Sequence, residues 1–209
     1  MGVVLATDQQ APAQGVLDRG AAVLADGGVV VMPTDSVYGI GAAAIPGNPG
    51  HERVFAIKQR ERSQTLPLVC ADVEDLARYG ADVPEWAVTA ARAFWPGALT
   101  FVVKAGDAVP DGYAQADGTV ALRVPDSEVV RGLCRRVGAI ALTSANTHGA
   151  PSPASFSELE PVIVEQADLV IDGGACPVGL ASTIVDATGP APRILRQGSV
   201  TLEQIAEAR

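Results

Sequence analysis

The sequence has few of the residues that usually build metal sites, disulfide frameworks and catalytic triads. It contains three cysteines and two histidines in 209 residues. Cys70, Cys134 and Cys176 are far apart and form no CxxC pair, so we expect free thiols in a reducing compartment and neither a zinc site nor a disulfide framework. His51 and His148 are isolated from each other and from any acid at ligand spacing, which gives a catalytic triad little support.

Membrane and targeting signals are also missing from the sequence. No run of about 18 apolar residues occurs, and the start, MGVVLATDQQ, lacks the basic residues and apolar core of a signal peptide. We therefore predict a cytoplasmic protein with no membrane partner. No repeat or low-complexity stretch stands out and 48% of the residues are hydrophobic, so we expect a single globular domain over residues 1–209.

The formal charge of −9 argues against a protein whose whole surface binds nucleic acid, because phosphate binding depends on lysine and arginine. A local basic patch is compatible with this charge, since net charge constrains solubility more than any one pocket. The basic residues concentrate in two groups: Lys58, Arg60 and Arg62, and Arg131, Arg135 and Arg136.

Two common nucleotide-binding motifs can be rejected. The sequence contains no GxxxxGK[ST] P-loop. Gly39, Gly41 and Ala44 match GxGxxA, a form of the dinucleotide fingerprint, but the glycines lie several residues past the preceding strand. Pro46 stands where the binding helix should already be running, so a Rossmann site is not expected either.

The most informative stretch is residues 29–41, VVVMPTDSVYGIG. Its four leading apolar residues predict a buried strand that ends at Pro33. The next three residues, 34–36, are short and polar and can present hydroxyls at the mouth of a sheet, and the two glycines allow a close backbone approach. Ligands of open α/β sheets bind beyond the strand ends, so the stretch predicts a site, with a tight turn as the simpler alternative.

The remaining sequence alternates loosely between helical periodicity and short apolar runs. Helices are predicted over residues 15–26, 48–58, 72–79, 84–94, 126–137 and 155–166 and from 201 onwards; strands over 29–32, 66–70, 99–104, 120–124, 139–142, 169–171, 184–186 and 193–195. Helix caps are predicted at Asn48 with Pro49, at Asp126, at Ser155 with Glu158, and at Thr201 with Gln204. Two late strands joined by a short turn favour a mixed sheet in an α/β or α+β domain.

Many of these elements end in residues that can bind an anion. They are Thr34, Lys58, Arg60, Arg123, Ser144, Asn146, Ser182, Thr183 and Arg196. Each has a simpler explanation when taken alone, because strand ends are often polar and arginine is usually solvated. Together they predict a pocket that holds a phosphate or carboxylate without a P-loop, and they leave the reaction open.

Seven short motifs resemble, in the same order, those of the YrdC/TsaC family of threonylcarbamoyl-AMP synthases. They are PTDSVYGIG at 33–41, KQR at 58–60, FWPGALTFV at 94–102, ALRVPD at 121–126, SAN at 144–146, STIVD at 182–186 and ILRQG at 194–198. The resemblance spans nearly the whole chain. Because the sequence ends soon after the last motif, it resembles the short, single-domain form of the family.

The resemblance implies an open α/β fold, borderline α+β, with a twisted mixed sheet, flanking helices and a concave basic cleft. It implies that L-threonine, bicarbonate or carbon dioxide, and ATP are joined into L-threonylcarbamoyl adenylate with release of pyrophosphate. The product serves the modification of adenosine 37 in tRNAs that read codons starting with A. Mg²⁺ is expected to arrive with ATP, and a downstream threonylcarbamoyl transferase is the expected partner, in transient contact.

The motif matches also imply roles for individual residues. Lys58 and Arg60 are the catalytic candidates, which would hold the negative charge that builds up in the transition state. Thr34, Ser144 and Arg123 would bind threonine. Nucleotide binding falls to four residues: Arg60, Asn146, Ser182 and Arg196. No metal ligand from the protein is implied.

Three positions depart from the family pattern. Cys70 follows PLV where many members have a histidine, so any role of that imidazole in threonine binding is absent or moved. Gln197 replaces the proline of ILRPG, and His148 with Gly149 follows SAN where a small polar residue and glycine are common. None of these changes removes a charged residue of the predicted site.

Two other functions are compatible with the residues. The first is a non-catalytic RNA-binding module, or weak RNA binding beside catalysis, which the acidic charge and the 4% aromatic content disfavour. The second is a carbamoyl transferase module of the kind found in hydrogenase maturation. Modules of that kind lie within much longer chains than this one.

Overall fold

The structure is a computed structural model that describes residues 3–61 and 65–208. Arg62, which the sequence places in a polar connection, lies outside these residues. The strands are β1 Val3–Ala6, β2 Val30–Met32, β3 Gly39–Ala43, β4 Leu68–Val69, β5 Gly80–Ala81, β6 Leu99–Ala105, β7 Thr119–Arg123, β8 Ile140–Ser144, β9 Leu169–Asp172, β10 Thr183–Asp186 and β11 Arg193–Arg196. The helices are α1 Gln14–Ala25, α2 Pro49–Ile57, α3 Asp75–Tyr79, α4 Glu85–Phe94, α5 Glu128–Val137, α6 Pro161–Gln166 and α7 Leu202–Glu207. No helix in the described ranges is long and apolar enough to cross a membrane.

The strands form one mixed sheet in the order β1-β9-β2-β3-β8-β4-β7-β6-β10-β11, and β5 pairs with β6 beside this path. β1 and β2 both run parallel to β9, and the pairs β4–β7 and β6–β10 are parallel as well. The other neighbours are antiparallel. This architecture confirms the predicted open mixed sheet flanked by helices.

Helices cover both faces of the sheet. Successive residues of a strand point to opposite sides, so a single strand contacts the helices on both faces. In β2, Val30 and Met32 pack in a cluster with Leu17 of α1 and Leu133 of α5. Val31 points the other way, into a larger cluster that includes residues of α2 and α4. Burial of all three β2 residues explains the uninterrupted apolar run at this point of the sequence.

The two glycines of the motif at 33–41 lie in β3, a strand that the sequence pattern does not indicate. A Cβ atom on Gly41 would meet the carbonyl oxygen of Ala141, and one on Gly39 would come within 2.8 Å of the Leu142 side chain. The predicted close approach is therefore an approach of β3 to its neighbour β8. The sequence also gives no signal for β1, an exposed edge strand, or for β5, which has two residues.

Two of the predicted helix caps are confirmed. The side chain of Asn48 accepts a hydrogen bond from the backbone N–H of Gly50 at 2.8 Å, and Pro49 occupies the first turn of α2. Thr201 and Gln204 form a complete capping box at the start of α7.

The other two cap predictions are wrong. Ser127, one residue after Asp126, is the N-cap of α5 and accepts a hydrogen bond from the N–H of Val130. The Ser155 hydroxyl bonds to the Glu158 carboxylate, and only a short 3-10 helix, Phe156–Glu158, forms there. The α-helix begins later, at Pro161, because proline keeps the residue before it extended.

Candidate functional site

All eight predicted site residues line two adjoining cavities. The smaller cavity, of about 110 Å³, contains five of them: Thr34, Arg123, Ser144, Ser182 and Arg196. The larger one, of about 700 Å³, also contains five: Lys58, Arg60, Ser144, Asn146 and Arg196. Ser144 and Arg196 belong to both linings, so the two cavities meet at these side chains. Three of the eight are the last residues of their strands: Arg123 of β7, Ser144 of β8 and Arg196 of β11.

Thr34 organises the turn that follows β2. Its hydroxyl donates to the carbonyl of Val37 at 2.8 Å and accepts from the backbone N–H groups of Ser36 and Val37. The Ser36 hydroxyl lies 3.0 Å from the same oxygen. The tight turn predicted for this stretch is confirmed, and its two hydroxyl side chains form part of a cavity wall. That a ligand binds here stays a prediction.

Arg123 is held by three neighbours inside the wall of the smaller cavity. Its guanidinium donates to the carboxylate of Asp35 at 2.5 Å, to the hydroxyl of Ser36 at 2.9 Å and to the carbonyl of Gly97 at 2.9 Å. Asp35 and Arg123 are 4% and 8% exposed, so this is a buried ion pair. Burial raises the pKa of Asp35 and lowers the pKa of Arg123, while the attraction between the two charges opposes both shifts.

Lys58 lies at the C-terminal end of α2 and is 3% exposed. Its ammonium group donates to the carbonyls of Ser144 and Asn146, each at 2.5 Å, and its own carbonyl accepts from the N–H of His148. The KQR motif at the end of α2 is therefore hydrogen-bonded directly to the SAN motif at the end of β8. Burial, and next the nearby charge of Arg60, lower the pKa of Lys58 to about 8.

Arg60 follows α2 in a turn that ends the helix. The N–H groups of Gln59 and Arg60 bond to the carbonyls of Ala56 and Phe55, the pattern of a Schellman motif. Gln59 has φ +52°, a left-handed conformation in which glycine is usual. In the described part of the chain the Arg60 guanidinium forms no ion pair or hydrogen bond, so it is available to a ligand in the larger cavity.

Asn146 has an acceptor without a partner. Its side-chain N–H₂ group donates to the carbonyls of Thr147 and Ala150, each at 2.8 Å. Its Oδ1 atom is buried and accepts no hydrogen bond from the described residues. Since buried polar atoms are rarely left unpaired, this oxygen is suited to a donor group of a ligand.

Ser182 and Arg196 form a second small network at the junction of the cavities. The Arg196 guanidinium donates to the carbonyl of Ser182 at 2.8 Å and to its hydroxyl at 3.2 Å. The Ser182 hydroxyl also lies 2.9 Å from that of Thr100, and burial lowers the pKa of Arg196. Thr183 does not line either cavity; its hydroxyl instead bonds to backbone groups of Gly198 and Val200.

Several residues of the cavities carry no signal in the sequence. Thr100 lies inside an apolar strand, and Ser152 lies in a loop after the SAN motif, yet both line the smaller cavity. The hydroxyl of Thr100 reaches the cavity because β6 pairs with β10, a contact over 82 residues of sequence that no local pattern reveals.

The departures from the family pattern lie in different environments. Cys70 is 2% exposed, belongs to the larger hydrophobic cluster and lines neither cavity. The side chain of Gln197 donates to the carbonyls of Gly198 and Val200, each at 2.9 Å, and so braces its own turn. His148 and Gly149 line the larger cavity.

The fold and the two cavities define an open-sheet α/β protein that offers ammonium, guanidinium, hydroxyl and amide groups to an anionic ligand. A family model described as "Telomere recombination", for Sua5, YciO and YrdC proteins, matches residues 22–198. The chain therefore belongs to the Sua5/YciO/YrdC family, as its motifs predict.

Known members of the family are similar over most of the chain. The protein is 36% identical over 156 residues to the threonylcarbamoyl-AMP synthase of Halorhodospira halophila, which covers 73% of this chain and 80% of the relative. It is 36% identical over 186 residues to the threonylcarbamoyl-AMP synthase of Pyrococcus abyssi, covering 88% of this chain and 54% of that longer protein. The crystal structure of P. abyssi Sua5 complexed with L-threonine superimposes with a TM-score of 0.89 at 32% identity, over 99% of this chain and 60% of Sua5.

Proposed function

We propose that this protein is a threonylcarbamoyl-AMP synthase, a nucleotidyltransferase that forms L-threonylcarbamoyl adenylate and pyrophosphate from L-threonine, bicarbonate or carbon dioxide, and ATP. One observation carries the proposal: a small cavity walled by hydroxyls and Arg123 shares Ser144 and Arg196 with a larger cavity, which is lined by Lys58, Arg60 and Asn146. Two ligands of different size can thus meet at Ser144 and Arg196. The relatives that bear this name, and the family member bound to L-threonine, support the assignment.

The reaction is proposed to proceed without a protein nucleophile. The amine of threonine adds to carbon dioxide and loses a proton, which gives a carbamate. A carbamate oxygen then attacks the α-phosphorus of ATP, and the bond to the pyrophosphate oxygen breaks. Positioning of two anions and stabilisation of their charge are therefore the tasks left to the protein.

The smaller cavity is proposed to bind threonine. Arg123 would bind its carboxylate, and Thr34 and Ser144, which line the same cavity, would orient the amino acid. Because Ser144 lies where the cavities meet, a carbamate formed on the amine would project towards the larger cavity.

The larger cavity is proposed to bind ATP. Lys58 and Arg60 would stabilise the charge that develops on the carbamate and the α-phosphate, and Asn146, Ser182 and Arg196 would contact the nucleotide. Mg²⁺ is proposed to enter with ATP. Among the described residues the lining of the larger cavity carries one carboxylate, Glu61, so most oxygen ligands of the ion would come from the phosphates and water.

We further propose that the protein acts in the cytoplasm and passes its product to a threonylcarbamoyl transferase that modifies tRNA, in transient contact. The charge of −9 favours this arrangement over a tight complex with RNA, since RNA binding by the protein surface requires clustered cations.

The proposal is tested by measuring pyrophosphate release from ATP with the purified protein while omitting one substrate at a time. We expect release only when L-threonine, bicarbonate, ATP and Mg²⁺ are all present. Release that continues without threonine would indicate a simple ATPase. RNA binding without any threonine-dependent turnover would favour the binding module instead.

A further inference from the structure

The buried carboxylate of Asp35 contacts the group that we propose binds threonine. Asp35 follows β2 directly, and its Oδ1 atom accepts a hydrogen bond from Nη2 of Arg123. On the same turn, the hydroxyl of Ser36 accepts from Nη1, and on another segment the carbonyl of Gly97 accepts from Nε. Three separate acceptors therefore fix the plane of one guanidinium.

These three bonds leave part of the guanidinium for a ligand. Arginine has five N–H groups, one on Nε and two on each terminal nitrogen. One N–H on Nη1 and one on Nη2 are not used by the bonds of Arg123, and the side chain lines the smaller cavity. Two N–H groups in a fixed plane can bind a carboxylate with defined geometry, which a freely rotating arginine side chain does less well.

We propose that Asp35 is a positioning residue: it holds Arg123 in the orientation that binds the threonine carboxylate, without touching threonine itself. The inference rests on the proposed function. The alternative is competition: Asp35 and the substrate carboxylate carry like charges and would compete for the Arg123 guanidinium. In that case removal of the Asp35 charge would strengthen threonine binding. The three-sided anchoring of Arg123 favours positioning over competition.

The inference is tested by calorimetric binding of L-threonine and of L-threoninol, which lacks the carboxylate, to the full chain and to Asp35→Asn. Asparagine keeps the size of the side chain and an acceptor oxygen but lacks the charge. We expect the variant to bind threonine about tenfold more weakly, with the affinities for threoninol and ATP within roughly twofold of wild type. A merely structural defect would weaken all three ligands together.

A matched control is Asp168→Asn. Asp168 forms an ion pair with Arg53 at 2.6 Å, but both side chains are partly exposed and neither lines the two cavities. This variant should bind threonine as wild type does. If Asp35→Asn fails to fold, as judged by its melting curve, Ser36→Ala replaces it, since it removes another anchor of Arg123 without changing charge. A loss of about threefold for threonine, with threoninol unaffected, is then expected.

The outcomes separate the two proposals. If wild-type protein binds no threonine, the proposed function falls, and the inference falls with it. If wild type binds threonine while Asp35→Asn binds it equally well or more tightly, the positioning role is overturned and the proposed function stands. An equal loss of threonine and threoninol in either variant also contradicts the positioning role.

Discussion

Arg60 and Arg136 provide the sharpest contrast between a side chain free for a ligand and one committed to the fold. Arg60 lines the larger cavity and, within the described residues, its guanidinium has no protein partner. Arg136 lies on α5 and donates to Asp18 at 3.0 Å, to Gln14 at 2.6 Å and to the carbonyl of Gly132 at 2.9 Å. Two of these bonds join α5 to the start of α1.

Replacement by alanine should therefore lower the activity in the case of Arg60 and the stability in the case of Arg136. Arg60→Ala loses a cation that we propose acts on transition-state charge, so kcat/KM should fall by about 100- to 1,000-fold, or about 3–4 kcal/mol. Its free energy of unfolding should change by less than about 0.5 kcal/mol, because the guanidinium forms no hydrogen bond or ion pair with a described residue. Arg136→Ala should lose about 1 kcal/mol of stability, as for a surface ion-pair network, and keep its activity.

The assays are pyrophosphate release under saturating and limiting ATP, and urea unfolding of both variants. Equal activities of the two variants would refute the assignment of Arg60. A large loss of stability in Arg60→Ala would show that its guanidinium serves the fold.

Further predictions concern Lys58 and two backbone positions. The pKa of Lys58 is lowered from 10.5 to about 8, so the folded state releases this proton at a lower pH than the unfolded chain does. As the pH rises from 8 to 10.5, the free energy of unfolding should therefore increase by about 3 kcal/mol. Unfolding curves should show this increase in wild type and not in Lys58→Met. In the same window the ammonium charge is lost, so an activity that depends on it should decline above pH 8 instead of above 10. Gly41→Ala should lower the free energy of unfolding by at least about 2 kcal/mol, because the new Cβ would meet the Ala141 carbonyl. Gly15→Ala in α1 is the control: its Cβ would have nothing within 4 Å, so thermal unfolding should show unchanged or increased stability. Gln59→Gly should raise the free energy of unfolding by roughly 0.5–1 kcal/mol by relieving the left-handed backbone, and a decrease would contradict this account of the turn.

The sequence predicts those features of the fold that depend on residues close together in the chain. The buried strand β2 and the caps at Asn48 and Thr201 follow from apolar runs and from side chains that reach backbone groups two or three residues away. Strand β3 is not predictable in this way, because GIGAA has little β-propensity and its pairing with β8 depends on residues about 100 positions later.

In the candidate site, too, local features are predictable from the sequence and contacts between distant residues are not. Its residues could be predicted because they are polar side chains at the ends of strands and helices, and the resemblance to a family supplied their roles. The sequence does not reveal that Arg123 is anchored by Asp35, a contact over 88 residues. Nor does it reveal that the Thr183 hydroxyl bonds to backbone groups while its neighbour Ser182 lines the smaller cavity, since two adjacent hydroxyl residues look alike in the sequence.

The most direct test of the proposed synthase activity is the mass of the nucleotide product made from ATP, L-threonine and ¹³C-labelled bicarbonate. Threonylcarbamoyl adenylate contains one carbon from bicarbonate, so we expect this adduct, with a mass one unit higher than the product made from unlabelled bicarbonate. A threonyl adenylate without the label, or AMP or ADP without any adduct, would contradict it.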